Sequence, residues 1–290
     1  MKKLVFFLLL LAVGSCKDRE PASPNRADAF AGVYYTGTSK DNRSSTYIWV
    51  VTRKANNRVG IGCYIEDTFR IGNQGTTSKK REVYFMENVV LSADSSFTIN
   101  ESVEGADKPV KLSGNGRLFK RTDGGAGMNV SIDFIASDNK AVRASEAMQL
   151  SKVENSLDED FAANDFDYAG NYGTELPEGA KTAFHNWSVA SGNHANISVD
   201  YKIRDKYNQG TIGELINNYV LKDTKKVGNR AISIDMTLQE EVSRDQIKVK
   251  AVGTKLRRAG SDLPSIATVV KITNETQGIT RIEYLELKKQ

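Results

Sequence analysis

The sequence predicts an all-β protein of two tandem antiparallel β-barrels, with a pair of two-sheet β-sandwiches as the rival packing. Three observations predict it. Apolar residues alternate with polar ones along most of the chain. An internal repeat lays Trp49 on Trp187, an offset of 138. No stretch carries a helical period of useful length. Alternation gives each strand one apolar face, and a sheet closed on itself buries that face without leaving open edges.

The repeat is read directly. Residues 30–67 overlay 168–205 without a gap. Ala31-Gly32-x-Tyr34 falls on Ala169-Gly170-x-Tyr172, Val51 on Val189, and Val59, Ile61 and Ile65 on Ile197, Val199 and Ile203. Asp67 falls on Asp205. The block VKLSGNGRLFKR at 110–121 overlays IKVKAVGTKLRR at 247–258, and Glu146, Leu150 and Lys152 fall on Glu283, Leu287 and Lys289. Two β domains follow, 30–153 and 168–290. Between them, residues 154–167 hold six acids and no base, with a capping-box pattern at Ser156-Leu-Asp-Glu159. That segment reads as an acidic linker.

Taken in order, the chain opens with Lys2 and Lys3 and an apolar run from Leu4 to Val13. The run is shorter than the ~20 residues a membrane-spanning helix needs, and its layout is that of a secretory signal. Val13-Gly14-Ser15-Cys16 resembles the bacterial lipobox. The resemblance implies that 1–15 is a lipoprotein signal peptide, and that Cys16 is diacylated and then acylated on its new amine. Each buried CH₂ contributes ~0.8 kcal/mol, so several acyl chains hold a protein on a membrane durably. Residues 16–29 are polar, carry Pro21 and Pro24, and read as a flexible tether. Lys17 follows the cysteine where enterobacterial inner-membrane retention uses aspartate. The charged KDRE after Cys16 resembles the surface-export signal of Bacteroidota lipoproteins. The expected address is the outer membrane, lipid-anchored, on either its surface or its periplasmic face.

Within the first domain, Tyr47, Trp49 and Val51 share one strand face, and Val59, Ile61, Cys63 and Ile65 share the next. Lys54-Ala-Asn-Asn57 has the composition of a hairpin turn. The second domain repeats this with Trp187 and Val189, then Ser191-Gly-Asn-His194, then Ile197, Val199, Tyr201 and Ile203. Runs at Val89–Leu91, Phe97–Ile99, Val110–Phe119, Val130–Ile135 and Met148–Leu150 bring each domain to about eight short strands, the size of a small barrel. The openings Phe30–Tyr34 and Tyr168–Tyr172 resemble the start of lipocalin-like barrels. In that family a Gly-x-Trp begins the first strand and its aromatic plugs the barrel floor. Here Tyr34 and Tyr172 stand where that family has tryptophan.

Composition bounds the function. With 39% hydrophobic and 26% charged residues, the chain has ordinary soluble composition. The formal net charge is +4, and removing 1–15 takes away two lysines and no acid, leaving +2. Nucleic-acid binding needs clustered cations on one face, so no nucleic-acid partner is expected. Two cysteines build neither a disulfide framework nor, alone, a zinc site. His185 and His194 flank a turn, lack a third ligand at a recognisable spacing, and are expected in water. No Gly-x-Ser-x-Gly elbow occurs. Cys63 reads as a small buried hydrophobe. Gly114-Asn-Gly116 and Gly124-Gly-Ala-Gly127 lack the context of phosphate loops and read as a strand kink and a turn. Lys120-Arg121 and Arg257-Arg258 read as strand ends in water.

Two groups of residues remain as candidates. Tyr34, Trp49, Tyr172 and Trp187 lie on the apolar faces, as core aromatics or as stacking residues of a ligand cavity. Ile48, Val50, Gly60 and Gly62 lie on the opposite face of the first domain, where the second has Asn186, Ser188, Ser198 and Asp200. They form a smooth patch expected to pack on the second domain or on a partner. The function expected is non-catalytic binding of a small apolar ligand, a glycan or an envelope protein, by a protein held to the membrane through its N-terminal lipid. The alternative is an accessory subunit of an outer-membrane assembly. No enzyme activity, cofactor or metal is expected.

Overall fold

The computed structural model describes residues 27–40, 43–71, 76–105, 108–153, 168–178, 181–190, 196–207, 214–227, 231–240, 243–256 and 264–290. Cys16, the signal peptide, most of the tether, the acidic linker, His194 and the Arg257-Arg258 pair lie outside those residues. A single helical turn, α1 (Ala27–Phe30), precedes β1 (Gly32–Lys40), β2 (Arg43–Lys54), β3 (Arg58–Ile71), β4 (Thr76–Leu91), β5 (Ser96–Val103), β6 (Val110–Lys120), β7 (Ala126–Ala136) and β8 (Ala141–Lys152). The second set is β9 (Gly170–Glu178), β10 (Lys181–Ala190), β11 (Asn196–Tyr207), β12 (Glu214–Val227), β13 (Ala231–Gln239), β14 (Gln246–Leu256), β15 (Ser265–Asn274) and β16 (Ile279–Lys289).

Each set of eight is an antiparallel up-and-down barrel in chain order. Barrel 1 closes on two rungs, Tyr34↔Lys152 and Tyr35↔Ser151. Barrel 2 closes on Gly173↔Lys288 and Tyr172↔Lys289. The indoles occupy matching rungs: Trp49 lies opposite Tyr34 and Cys63, and Trp187 opposite Tyr172 and Tyr201. Even the bulge repeats. The β3–β4 register slips between Val59 and Ile61, and the β11–β12 register slips between Ile197 and Val199. Such a bulge bends its strand and tightens the twist that closure needs.

Local chemistry explains the turns. Asn56 and Asn57 adopt φ of 57° and 51° between β2 and β3, a region asparagine tolerates better than most residues. Gly116 faces Phe97 across β5–β6, and a Cβ there would lie 2.1 Å from the ring. The absent side chain is the space the ring fills.

The interior of barrel 1 is filled by its own side chains, with Trp49, Tyr34, Phe97 and Phe134 essentially inaccessible. Burying side chains of this size contributes ~1.5–3 kcal/mol each. The turn α1 caps the floor. Phe30 packs edge-on against Phe97 with ring centroids 5.9 Å apart, and Tyr34 Oη donates to the Phe30 carbonyl at 3.0 Å. The turn α1 therefore overlaps the end of the stretch read as a tether.

Barrel 1 docks on barrel 2 through an apolar strip. Val33, Val50, Tyr64, Val83 and Phe85 meet Val252, Leu256, Ala267 and Val269 in one cluster. A Cβ on Gly62 would sit 3.4 Å from Val269. Ile48 packs partly against the same cluster, whereas Gly60 faces Lys54 and Thr52 of its own barrel. Ion pairs flank the strip. Glu104 accepts from Lys248 and Lys271 at 2.9 and 2.8 Å, and Lys250 reaches Glu87 at 3.5 Å.

Replacing Val50 with Asp puts an unpartnered carboxylate into this contact, at a cost of about 3 kcal/mol or more. Guanidinium unfolding is expected to change from one transition to two, as the barrels lose each other before either opens. Ile48→Asp, only partly packed, is expected to shift the curve much less.

Candidate functional site

The two interiors differ at one end, and the difference is built residue by residue. In barrel 1, Phe134 stands opposite Leu112 and contacts Tyr84 at 5.2 Å between ring centroids. Glu82 stands opposite Ile65. Arg143 crosses the interior to Asp67, at 3.1 Å between Nη1 and Oδ2, and lies over the Tyr47 ring at 5.7 Å. Tyr47 Oη donates to Glu146 at 2.6 Å. In barrel 2 the corresponding rungs carry Ile272 opposite Val249 and Asn217 opposite Ile203, and His185 takes the place of Tyr47. Each of these is smaller than its counterpart.

Among the described residues, none refills the volume removed. A cavity of about 750 Å³ occupies the open end of barrel 2. Ile247 and Ile272 form part of an apolar wall contributed by β14 and β15. Leu215 and Ile279 stand on the rim, 52% and 60% exposed. Such exposure of large apolar side chains at the mouth of a cavity is the pattern of a surface awaiting cover.

The facing wall is charged. Arg281 grips Asp205 with two parallel hydrogen bonds, Nη1 to Oδ2 at 3.0 Å and Nη2 to Oδ1 at 3.1 Å. Lys181 adds a third to Asp205 at 3.1 Å. Arg281 Nε also donates to Glu283 at 3.2 Å. Burial disfavours the Asp205 carboxylate, but Arg281 and Lys181 outweigh it and hold the group below its usual range.

One member of this wall comes from the other barrel. Arg81, on the outer face of β4, donates from Nη1 to Glu178 at 2.7 Å and to Glu283 at 3.1 Å, and from Nε to Glu66 of its own barrel at 3.0 Å. Glu178 ends β9 and Glu283 lies on β16, beyond the two rungs on which those strands pair. Arg81 thus ties the barrel 2 seam together where no ladder bond does. Glu283 is nearly inaccessible. Its burial, and the charge of Glu178, push its carboxyl up to about 7 against the pull of Arg81 and Arg281.

His185 corrects an expectation. It is fully buried, not in water, with Nδ1 2.7 Å from Tyr201 Oη. Strand geometry is the reason: His185 is two residues from Trp187, so both share the inner face. Burial, then the nearby Arg281 charge, drives its pKa down to about 3, and the ring is neutral at physiological pH.

The four aromatics singled out from sequence lie elsewhere. Tyr34, Trp49, Tyr172 and Trp187 are fully buried on matching rungs of the two barrels, and none lines the mouth cavity, although Tyr172 and Trp187 border a smaller one of about 340 Å³. Cys63 is buried beside Trp49, with its thiol pushed up to about 12, which leaves it protonated and inert. Lys79, Arg81 and Arg281 escaped the sequence reading, and Asp205 entered it only as the repeat partner of Asp67. The repeat did carry one signal: Asp67 and Asp205 match, and so do Arg143 and Arg281 at the same offset of 138. An acid and a base recurring together on inward positions mark an internal ion pair.

A cavity with one apolar and one charged wall can bind a molecule with both characters. No family model matches the sequence, and no curated protein is similar to it.

The two perturbed groups predict opposite pH dependences. The Glu283 pKa is raised, so its contribution is fully present below the ordinary value near 4.5 and is lost as pH climbs towards 7. The His185 pKa is depressed from 6.5, so stability is lost as pH falls from 6.5 towards 3, because the unfolded chain takes up the proton first. Melting temperatures across pH 4.5–8 are expected to show Glu283→Gln gaining on the parent protein at the alkaline end only. His185→Gln should reduce the loss at the acid end. A pH-independent offset for either variant would contradict the assignment of that group.

Proposed function

We propose that the protein is a non-catalytic binding module of the cell envelope, held to the membrane by lipid on Cys16, and that barrel 2 takes a small, largely apolar ligand through its open end. One observation carries this reading: two copies of one fold, one filled by Phe134, Glu82 and Tyr47 and the other hollow beside Ile272 and Asn217, with His185 in the place of Tyr47. A cavity of about 750 Å³ lies within the range of small-molecule sites, roughly 300–1,000 Å³. The anchor rests on the lipobox-like Val13-Gly14-Ser15-Cys16. A second reading, an accessory subunit of an outer-membrane assembly, draws support from barrel 1, whose packed interior leaves its surface as the part available to a partner.

Native mass spectrometry of the protein extracted from its host membrane distinguishes the two. A retained small molecule supports the first, and a retained subunit without one supports the second. With the apolar fluorophore N-phenyl-1-naphthylamine as probe, Ile272→Phe restores the barrel 1 residue and is expected to weaken binding about tenfold or more, the equivalent of ~1.4 kcal/mol. Equal binding by parent and variant would remove barrel 2 as the site. Cys16→Ser is expected to move the protein from the membrane to the soluble fraction, and unchanged membrane association would refute the anchor.

A further inference from the structure

Resting on the reading that barrel 2 holds a ligand, we propose that this ligand is an amphiphile with a carboxylate head, which takes the place of Glu283 on Arg81 and Arg281 and enters together with one proton.

Eight charged groups of the wall pair with one another, and Glu240 lines the same cavity outside that set. The set's cations are Lys79, Arg81, Lys181 and Arg281, and its anions are Glu66, Glu178, Asp205 and Glu283. Within the paired set, four charges of each sign balance with every group ionised. The anions are not equally held. Asp205 has a two-pronged arginine and a lysine. Glu66 is bound by Lys79 at 2.8 Å and Arg81 at 3.0 Å near the surface. Glu178 has Arg81 at 2.7 Å and Lys181 at 3.4 Å. Glu283 has one oxygen on each of two arginines that are already engaged elsewhere, at 3.1 and 3.2 Å, and it is the least exposed of the four.

The groups around Glu283 come from five other strands and its own. They are Tyr64 and Glu66 of β3, Arg81 of β4, Glu178 of β9, Lys181 and His185 of β10, and Tyr201 and Asp205 of β11, with Arg281 on its own strand. His185 and the two tyrosines are neutral, so the arginines alone supply attraction at Glu283 itself. Its carboxyl sits near pH 7, where uptake of a proton costs little. Once protonated, Glu283 leaves one positive charge unbalanced between Arg81 and Arg281, beside the cavity and opposite the apolar wall. A carboxylate on an apolar tail fits both: the head restores the charge balance, and the tail covers Ile247, Ile272 and the rim.

The copies differ in the way this role requires. In barrel 1 the matching Glu146 is bound by Tyr47 Oη at 2.6 Å and by Arg43 at 3.6 Å, both from its own barrel. In barrel 2 His185 has turned to Tyr201 instead, and the donor to Glu283 comes across the interface from Arg81. Barrel 1 thereby supplies part of the head-group site of barrel 2.

The test uses the full chain, displacement of N-phenyl-1-naphthylamine by laurate or by 1-dodecanol, and calorimetry in buffers of different ionisation enthalpy. Laurate is expected to bind more tightly at pH 6.5 than at 8.5, by up to about tenfold per pH unit above the Glu283 pKa, with close to one proton taken up per laurate. Dodecanol should show neither effect. Glu283→Gln should bind laurate tightly at both pH values with no proton uptake. Arg81→Gln should lose laurate affinity and keep that for dodecanol. If laurate and dodecanol bind alike and no proton is taken up, the head-group assignment falls while the apolar site stands. If the fluorophore, laurate and dodecanol all fail to bind, the ligand-binding reading falls and takes this one with it.

Discussion

Closing eight strands into a barrel leaves an interior just wide enough for side chains to fill it. Every inward position is then either a plug or a hole, and the rest of this molecule follows from how two copies of one barrel use those positions. Near the floor both are plugged in the same way, by Tyr34 against Trp49 and Tyr172 against Trp187. At the open end they part. Phe134 and Arg143 close barrel 1 over Asp67, whereas Ile272 leaves Arg281 and Asp205 at the edge of a cavity. A tightly packed core leaves no internal space, so the loss of bulk at a few rungs is enough to open a cavity in an otherwise equivalent barrel.

The second organising contact is the dock between barrels. The outer strip of barrel 1 is apolar where it meets barrel 2, and residues of β14 and β15 are buried on both faces because one side lines a barrel and the other meets its neighbour. Charges ring this strip rather than enter it, as is usual for protein contacts. Arg81 is the exception. It lies past the apolar strip, on a strand that runs sixteen residues, and reaches a seam in barrel 2 that its own strands leave unpaired. The dock therefore does more than hold two domains side by side, because it sets the charge at the mouth of the second.

Buried ions ask for an explanation, since desolvation costs about as much as pairing returns. Barrel 1 spends Arg143 and Asp67 on filling its own end, with Tyr47 and Glu146 completing the network. The same pair in barrel 2 faces a cavity, where fixed charges orient whatever enters it. The repeat places the pair in both barrels, and the smaller residues around it in barrel 2 leave it bordering a cavity.

The amino-acid sequence by itself determined the strands, the repeat, the matched indoles and the inward cysteine, because alternation and spacing are local properties that a pleated strand turns directly into faces. It also carried Val50 and Gly62 as members of a smooth patch, through a contrast between the copies on one face. Only the tertiary structure decided that His185 is buried, because a polar side chain on a strand is covered only when closure brings other strands over it. The partners of Arg81 lie 97 and 202 residues away, and no local pattern specifies a contact across a domain boundary. The cavity is likewise a sum over several strands. No single substitution of Ile, Asn or His announces a hole, and the empty space exists only once closure brings those positions around one axis.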